Sequence, residues 1–187
     1  MIKQELRKIY RAQRLALTDS ERSKMDDLML IQFQHCGIEI PDTIMTYAPL
    51  EKFAEFNTAF IEDYCVFKNP AVQFVYPVMK GHNLIPVITD ADTAFLKNNM
   101  EIDEPVDGHP IDPREIDMVF VPLIIADLSG NRVGYGKGFY DRFLKLCRKD
   151  VITVGFSYFD PVHEISDVFE GDVPLNYCIT PNGYYPF

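Results

Sequence analysis

Residues 132–142, RVGYGKGFYDR, bring three glycines together with two arginines, a lysine and an aspartate. Amides of a glycine-rich loop can converge on an anion because no Cβ stands in the way, and Gly134, Gly136 and Gly138 suit that task. Arg132, Lys137 and Arg142 can balance phosphate charge. Asp141 has two readings: a carboxylate sharing Mg2+ with phosphate oxygens and water, or a favourable acid in a helix's first turn, paired with Arg142. Tyr135, Phe139 and Tyr140 could stack on a flat heteroaromatic ligand or fill core. The G-x-G-x-G spacing meets neither the dinucleotide fingerprint nor the Walker A pattern, because Phe139 breaks the first and Gly138 follows Lys137 where the second needs Ser or Thr. Composition alone therefore leaves an anion loop and a plain turn on equal footing.

The charge balance around the loop is uneven. The chain has 187 residues and a net charge of −10, which argues against nonspecific nucleic-acid binding and against an anionic membrane surface. Its cations nevertheless form two islands: Lys3, Arg7, Lys8, Arg11 and Arg14 near the start, and Arg132, Lys137, Arg142, Lys145, Arg148 and Lys149 around the loop. Two islands could serve one anionic ligand; each taken singly is also what a solvated helix face looks like. Cys36, Cys65, Cys147 and Cys178 are widely spaced, which suggests reduced thiols rather than a disulfide frame or a zinc site. The opening MIKQELRKIYR is charged and unlike a signal segment, so a cytoplasmic location is expected.

The elements that must position these residues follow from periodicity. Residues 3–15 read as a helix with Ile2, Leu6, Ile9, Tyr10 and Leu17 on a docking face, beside an exposed basic stripe of Lys3, Arg7, Arg11 and Arg14. TDSE, from Thr18, is a capping box that starts a second helix running to about Gly37. Strands are expected at 43–48, 72–79, 118–126 and 151–159, and helices at 57–67 and 139–149. The acidic, proline-bearing stretch 97–117 reads as a surface loop, a lid or wall over a pocket. This alternation predicts a single α/β domain over 1–187: an open, mostly parallel sheet with helices on both faces, Rossmann-like, presenting ligands at its strand-to-helix loops.

KQELR near the start, EFNT at 55–58, and EIDMVFVPLIIADLSGNRVGYGKGFYDRFL give the chain a recognisable pattern. It resembles the 5-formyltetrahydrofolate cyclo-ligase family, also called methenyltetrahydrofolate synthetases, from residue 3 to about 180. The resemblance implies ATP- and Mg2+-dependent closure of 5-formyltetrahydrofolate to 5,10-methenyltetrahydrofolate. It implies ATP contacts from Lys3, Arg7, Arg132, Val133, Gly134, Tyr135, Gly136, Lys137, Gly138, Phe139 and Tyr140. It also implies folate contacts from Leu50, Glu55 and the stretch Tyr135 to Phe139, with Glu55 as the pterin-recognising acid. Asp141 and Asp172 match acids near the metal, and Lys137 with Arg132 or Arg142 would steady the transferred phosphoryl. Leu123 stands where such families usually carry glycine, so a differently shaped strand end is expected. Partners would be small-molecule substrates, with no nucleic acid and no membrane, and the chain would act as a monomer or weak homodimer. Two rival functions share the loop: another ATP-dependent kinase or ligase for a small anion, and a non-catalytic nucleotide- or folate-binding module.

Overall fold

The computed structural model describes residues 1–187. Four helices, α1 (Lys3–Ala16), α2 (Asp19–His35), α3 (Ala59–Lys68) and α4 (Phe139–Leu144), surround a sheet built from β1 (Thr43–Met45), β2 (Gln73–Lys80), β3 (Asn83–Ile88), β6 (His109–Pro110), β7 (Met118–Val121), β10 (Ile152–Phe156), β11 (Tyr177–Thr180) and β12 (Gly183–Pro186). Two short ribbons stand outside it: β4 (Phe95–Lys97) with β5 (Asp103–Pro105), and β8 (Ile125–Ala126) with β9 (Arg132–Val133). The sheet order is β12-β11-β10-β7-β1-β2-β3-β6. The central pairs from β11 to β2 are parallel, and β12, β3 and β6 add antiparallel edges.

The strands are short and apolar on both faces, as a covered parallel sheet requires. Alternation divides their side chains between two cores. Ile44, Met118, Phe120, Val154, Phe156 and Ile179 meet Met29 and Phe33 of α2 and Ile61 and Cys65 of α3. On the opposite face Met45, Val119, Val121 and Cys178 pack with Phe143 and Leu144 of α4. Helices therefore lie on both faces, as the alternation of elements predicts. The Thr18 capping box forms, with the Thr18 side chain accepting from Glu21 N–H.

Four sequence expectations need correction. The apolar run 118–126 is two elements: Pro122 lacks the amide needed to continue the ladder, so β7 stops at Val121 and Ile125–Ala126 pairs with β9 instead. The glycine loop thus leaves a ribbon at the end of the central strand, not the strand itself. The stretch 97–117 holds β5, β6 and a 3-10 turn at Pro113–Glu115; β5 is Asp-Glu-Pro, and its pairing with Phe95–Lys97 leaves no apolar alternation to read. The helix after the loop ends at Leu144. Finally, the stripe on α1 is not wholly solvated: Ile9 is exposed while Arg14 is buried, and Leu6 packs with Ile125, Val133 and Ile165. Strands β3, β11 and β12 had no counterpart in the sequence reading.

Candidate active site

Tyr47 and Ala48 leave the carboxyl end of β1, and Pro122 leaves that of β7; between these neighbours the chain's connections diverge to opposite sides of the sheet. Ligands of open α/β sheets bind at such a point, and a cavity of about 470 Å³ lies there. One wall is the N-terminal end of α1, with Lys3, Gln4 and Arg7, and another is the loop from Gly134 to Tyr140. Leu50 and Glu55 form the far end, and Met100 to Glu104 of the β4–β5 hairpin close a side, so the acidic stretch is a wall of the pocket. Two residues of each basic island meet here, Lys3 and Arg7 from the first and Arg132 and Lys137 from the second, while the remaining basic residues of both islands lie outside the cavity.

The loop conformation explains part of its glycine content. Gly136 and Gly138 have φ of 86° and 66°, in the left-handed region that favours glycine. At Gly134 a Cβ would meet no protein atom within 4 Å. Arg7 Nε donates to Gly134 O at 2.8 Å, fixing α1 to the loop. Lys137 is exposed and makes neither an ion pair nor a side-chain hydrogen bond, although it lines the cavity. Arg142 faces away: Nε and Nη2 donate to His82 O at 2.9 and 2.7 Å, and Nη2 donates to Lys137 O at 3.0 Å. It pins the loop to the β2–β3 turn and does not line the cavity, whereas Arg132 does. Val133 is likewise outside the cavity, buried against Leu6 and Ile165.

Arg132 Nη2 donates to Asp141 Oδ1 at 2.8 Å, and Val173 N–H donates to the same oxygen at 3.1 Å. Asp141 therefore pairs with Arg132, not with Arg142 as a plain helix-start acid would. Its Oδ2 has no protein partner. Asp172 Oδ2 accepts from the Lys3 ammonium and from Phe169 N–H. Burial would raise the Asp172 carboxyl, but Lys3, the Phe169 amide and Arg132 outweigh it and hold the group below its ordinary value. Lys3 N–H also donates to Asp167 at 2.6 Å. No three His, Cys, Asp or Glu side chains cluster as a metal cage.

At the far end, Glu55 is 8% exposed. Leu50 N–H donates to its Oε2 at 2.8 Å and the Tyr135 hydroxyl to its Oε1 at 2.7 Å. Burial raises the Glu55 carboxyl above its usual value, opposed by those two donors and by the Arg14 charge. Tyr135 stacks on Phe53, with centroids 5.5 Å apart. The phenols of Tyr47 and Tyr140 also line the cavity, both pushed up by burial. Leu123, where a reshaped strand end was expected, turns its side chain into the core against Gly155 and Leu175, so only Pro122 of that segment reaches the pocket.

Sequence reasoning missed Tyr47, Gln4, Asp167 and the buried role of Arg14. Tyr47 carried a signal, since it falls at the carboxyl end of the strand expected at 43–48, the end that faces ligand in open α/β sheets. Nothing in the sequence marks Arg14 as different from its neighbours in the stripe.

The profile of the family described as 5-formyltetrahydrofolate cyclo-ligase matches residues 1–181. A 5-formyltetrahydrofolate cyclo-ligase of Mycoplasma genitalium is 27% identical over 180 residues, covering 94% of this chain and 97% of that protein. Two solved structures share the fold. A 5,10-methenyltetrahydrofolate synthetase of Aquifex aeolicus superposes with a TM-score of 0.82 at 24% identity, covering 100% of this chain and 93% of that one. One from Mycoplasma pneumoniae superposes with a TM-score of 0.75 at 23% identity, covering 96% and 98%. The match along nearly the whole sequence, and a glycine loop facing the cavity at the divided end of the sheet, establish that this chain belongs to the 5-formyltetrahydrofolate cyclo-ligase family.

Proposed function

We propose that the chain closes 5-formyltetrahydrofolate to 5,10-methenyltetrahydrofolate, with ATP as co-substrate and Mg2+ as the metal, releasing ADP and phosphate. The observation that carries the reading is the joining of two unlike ends in one cavity: loop amides with free cations at one, and a buried carboxylate fed only by donors at the other.

The formyl group is an amide, a poor electrophile whose oxygen leaves reluctantly. In this reading its oxygen takes the γ-phosphoryl of ATP, N10 attacks the activated carbon, and phosphate departs with that oxygen as the ring closes. The protein supplies positioning and electrostatics. Arg7 and Lys137 have charge to offer because no acid neutralises them, and the bare Gly134 position leaves room for an anion against the backbone. Arg132 lines the cavity and Arg142 does not, which supports Arg132 as the arginine that would steady the transferred phosphoryl once its partner Asp141 is shared with Mg2+. Glu55, held by Leu50 N–H and Tyr135, presents its remaining lone pairs to the N–H edge of the pterin. Leu50, Tyr135 and Phe139 supply apolar surface for its ring.

The residues fit Mg2+ as this ion is commonly held, by one or two carboxylates with phosphate oxygens and water rather than by a protein cage. Mg2+, when bound, would neutralise charge on the phosphates. Asp141 Oδ2 is the oxygen available for it, while Asp172 is engaged with Lys3 and would act at the margin of the site. Asp141→Asn keeps the acceptor for Arg132 and should raise the Mg2+ concentration for half-maximal rate by roughly tenfold, the equivalent of about 1.4 kcal/mol. An unchanged metal titration would confine Asp141 to orienting Arg132.

The expected setting is a cytoplasmic monomer or weak homodimer acting on small molecules. No helix is long and apolar enough to cross a membrane, and all four cysteines are free. The functional test is incubation with 5-formyltetrahydrofolate, ATP and Mg2+ while following methenyl absorbance. Growth of that absorbance with ATP consumption is expected. ATP hydrolysis without it would point to another ATP-dependent kinase or ligase, and binding without turnover to a non-catalytic module.

A further inference from the structure

Arg14 is 3% exposed and has no ion-pair partner, an unusual state for a guanidinium. Hydrogen bonds account for it. Nε donates to Phe53 O at 2.8 Å, Nη1 to Leu123 O at 3.1 Å and Nη2 to the Tyr135 hydroxyl at 2.7 Å. These acceptors lie on three segments: the turn bearing Leu50 and Glu55, the crossover after β7, and the glycine loop, so one side chain ties all three together.

The direction of the bonds matters. A guanidinium can only donate, so the Tyr135 oxygen must accept from Arg14. Its single proton is then directed at Glu55 Oε1, 2.7 Å away. The other Glu55 oxygen is fixed by Leu50 N–H. The loop itself is flexible in composition, and its neighbouring backbone is pinned by Arg7 at Gly134 and by Arg142 at Lys137. Between those pins the Tyr135 side chain is the one link from the loop to the buried acid.

We propose that Arg14 is a positioning residue that, through the Tyr135 hydroxyl, makes the glycine loop and Glu55 one mechanical unit, so that nucleotide at the loop and folate at Glu55 each strengthen binding of the other. The inference rests on the assignment of the loop to nucleotide and of Glu55 to folate made above. The physical basis is a shared conformation: the loop and Glu55 are joined by the Tyr135 hydroxyl, so a ligand that favours the joined arrangement at one end favours it at the other. Such coupling is reciprocal by thermodynamic necessity.

The groups bearing on Glu55 are Arg14 from α1, Tyr135 from the loop, Tyr47 after β1 and Tyr140 from α4. Only Arg14 carries charge. Loss of the Tyr135 hydroxyl removes a donor that favours the ionised acid, so the pH below which folate affinity falls should move upward. A merely structural role for the hydroxyl would leave that pH where it is.

The test is calorimetric titration of the full chain with 5-formyltetrahydrofolate, with and without a Mg2+ complex of a non-hydrolysable ATP analogue. In the parent chain each ligand should tighten the other by the same factor, roughly tenfold, within the usual range of such couplings. Tyr135→Phe retains the ring on Phe53 but frees Glu55 Oε1, so folate alone should bind more weakly, while the coupling factor, a ratio taken within the variant, falls to about one and the acid limb of folate binding shifts to higher pH. Arg14→Lys, which cannot reach three acceptors, should behave likewise; if that variant does not fold, Tyr135→Phe decides. Parental coupling in Tyr135→Phe, or its absence in the parent chain with both ligands binding, would overturn the inference and leave the functional assignment intact. Failure of either ligand to bind the parent chain would remove the assignment and the inference together.

Discussion

Lys137→Ala should lower kcat at least about a hundredfold, the usual scale for removing one preorganised electrostatic group from a reacting centre, with the fold unchanged. Both halves of that expectation come from the same feature. The ammonium has no acid, carbonyl or hydroxyl partner within the protein and sits exposed on the loop, so its removal breaks no native contact. It lines the cavity beside the unpaired Arg7, so its field is available to the phosphates. Because charge moves toward the leaving diphosphate during transfer, the loss should fall mainly on kcat rather than on the folate KM. Steady-state kinetics with matched thermal melts would measure both. Near-parental turnover would remove Lys137 from the transition state and leave it a solvated lysine.

The second large effect is expected from Glu55→Gln, which should raise the folate KM about a hundredfold and leave nucleotide affinity, measured alone, nearly unchanged. Both carboxylate oxygens already accept protein donors, and the pterin edge would bring more. An amide cannot accept on its nitrogen, so one buried donor must face another, at a cost of about 1–3 kcal/mol. Losing charge from the remaining bonds adds a comparable amount, and about 1.4 kcal/mol corresponds to tenfold in affinity. Folding should respond in the opposite sense. Burial raises the Glu55 carboxyl above its ordinary value, so the folded state holds that proton more tightly than the unfolded chain does. Stability therefore declines as pH rises from the carboxylate range toward the raised value. The melting temperature of the parent chain should accordingly fall relative to Glu55→Gln as pH increases through that window. An unchanged folate KM would exclude Glu55 from recognition.

The sheet was legible where burial leaves a continuous apolar run, as in β1, β2, β7 and β10. It was illegible where neighbours decide. Ile124 to Ala126 look like more of β7, yet Pro122 ends the ladder and the residues are buried in a ribbon with Arg132 and Val133. Strand β3 contains Pro86 and stands near the antiparallel edge, where a missing amide is tolerated and the strand signal is weak. Of the candidate site, the loop was legible, because the left-handed backbone at Gly136 and Gly138 demands glycine and leaves it in the sequence. Arg14 shows the converse. Its difference from Arg11, which lies over the Phe53 ring with its guanidinium carbon 3.7 Å from the centroid, is created by carbonyls contributed from distant segments. No local pattern encodes that. Likewise Arg132 and Arg142 were indistinguishable as letters, and only the position of His82 O turns one of them away from the cavity.

The central claim is that the formyl oxygen accepts the phosphoryl group at this loop. The most direct measurement uses 5-formyltetrahydrofolate carrying heavy oxygen in its formyl group, with ATP and Mg2+, and reads the released phosphate by mass spectrometry. The account predicts one heavy oxygen in each phosphate formed per methenyl product. Methenyl product accompanied by unlabelled phosphate, with the heavy oxygen recovered in water, would contradict it.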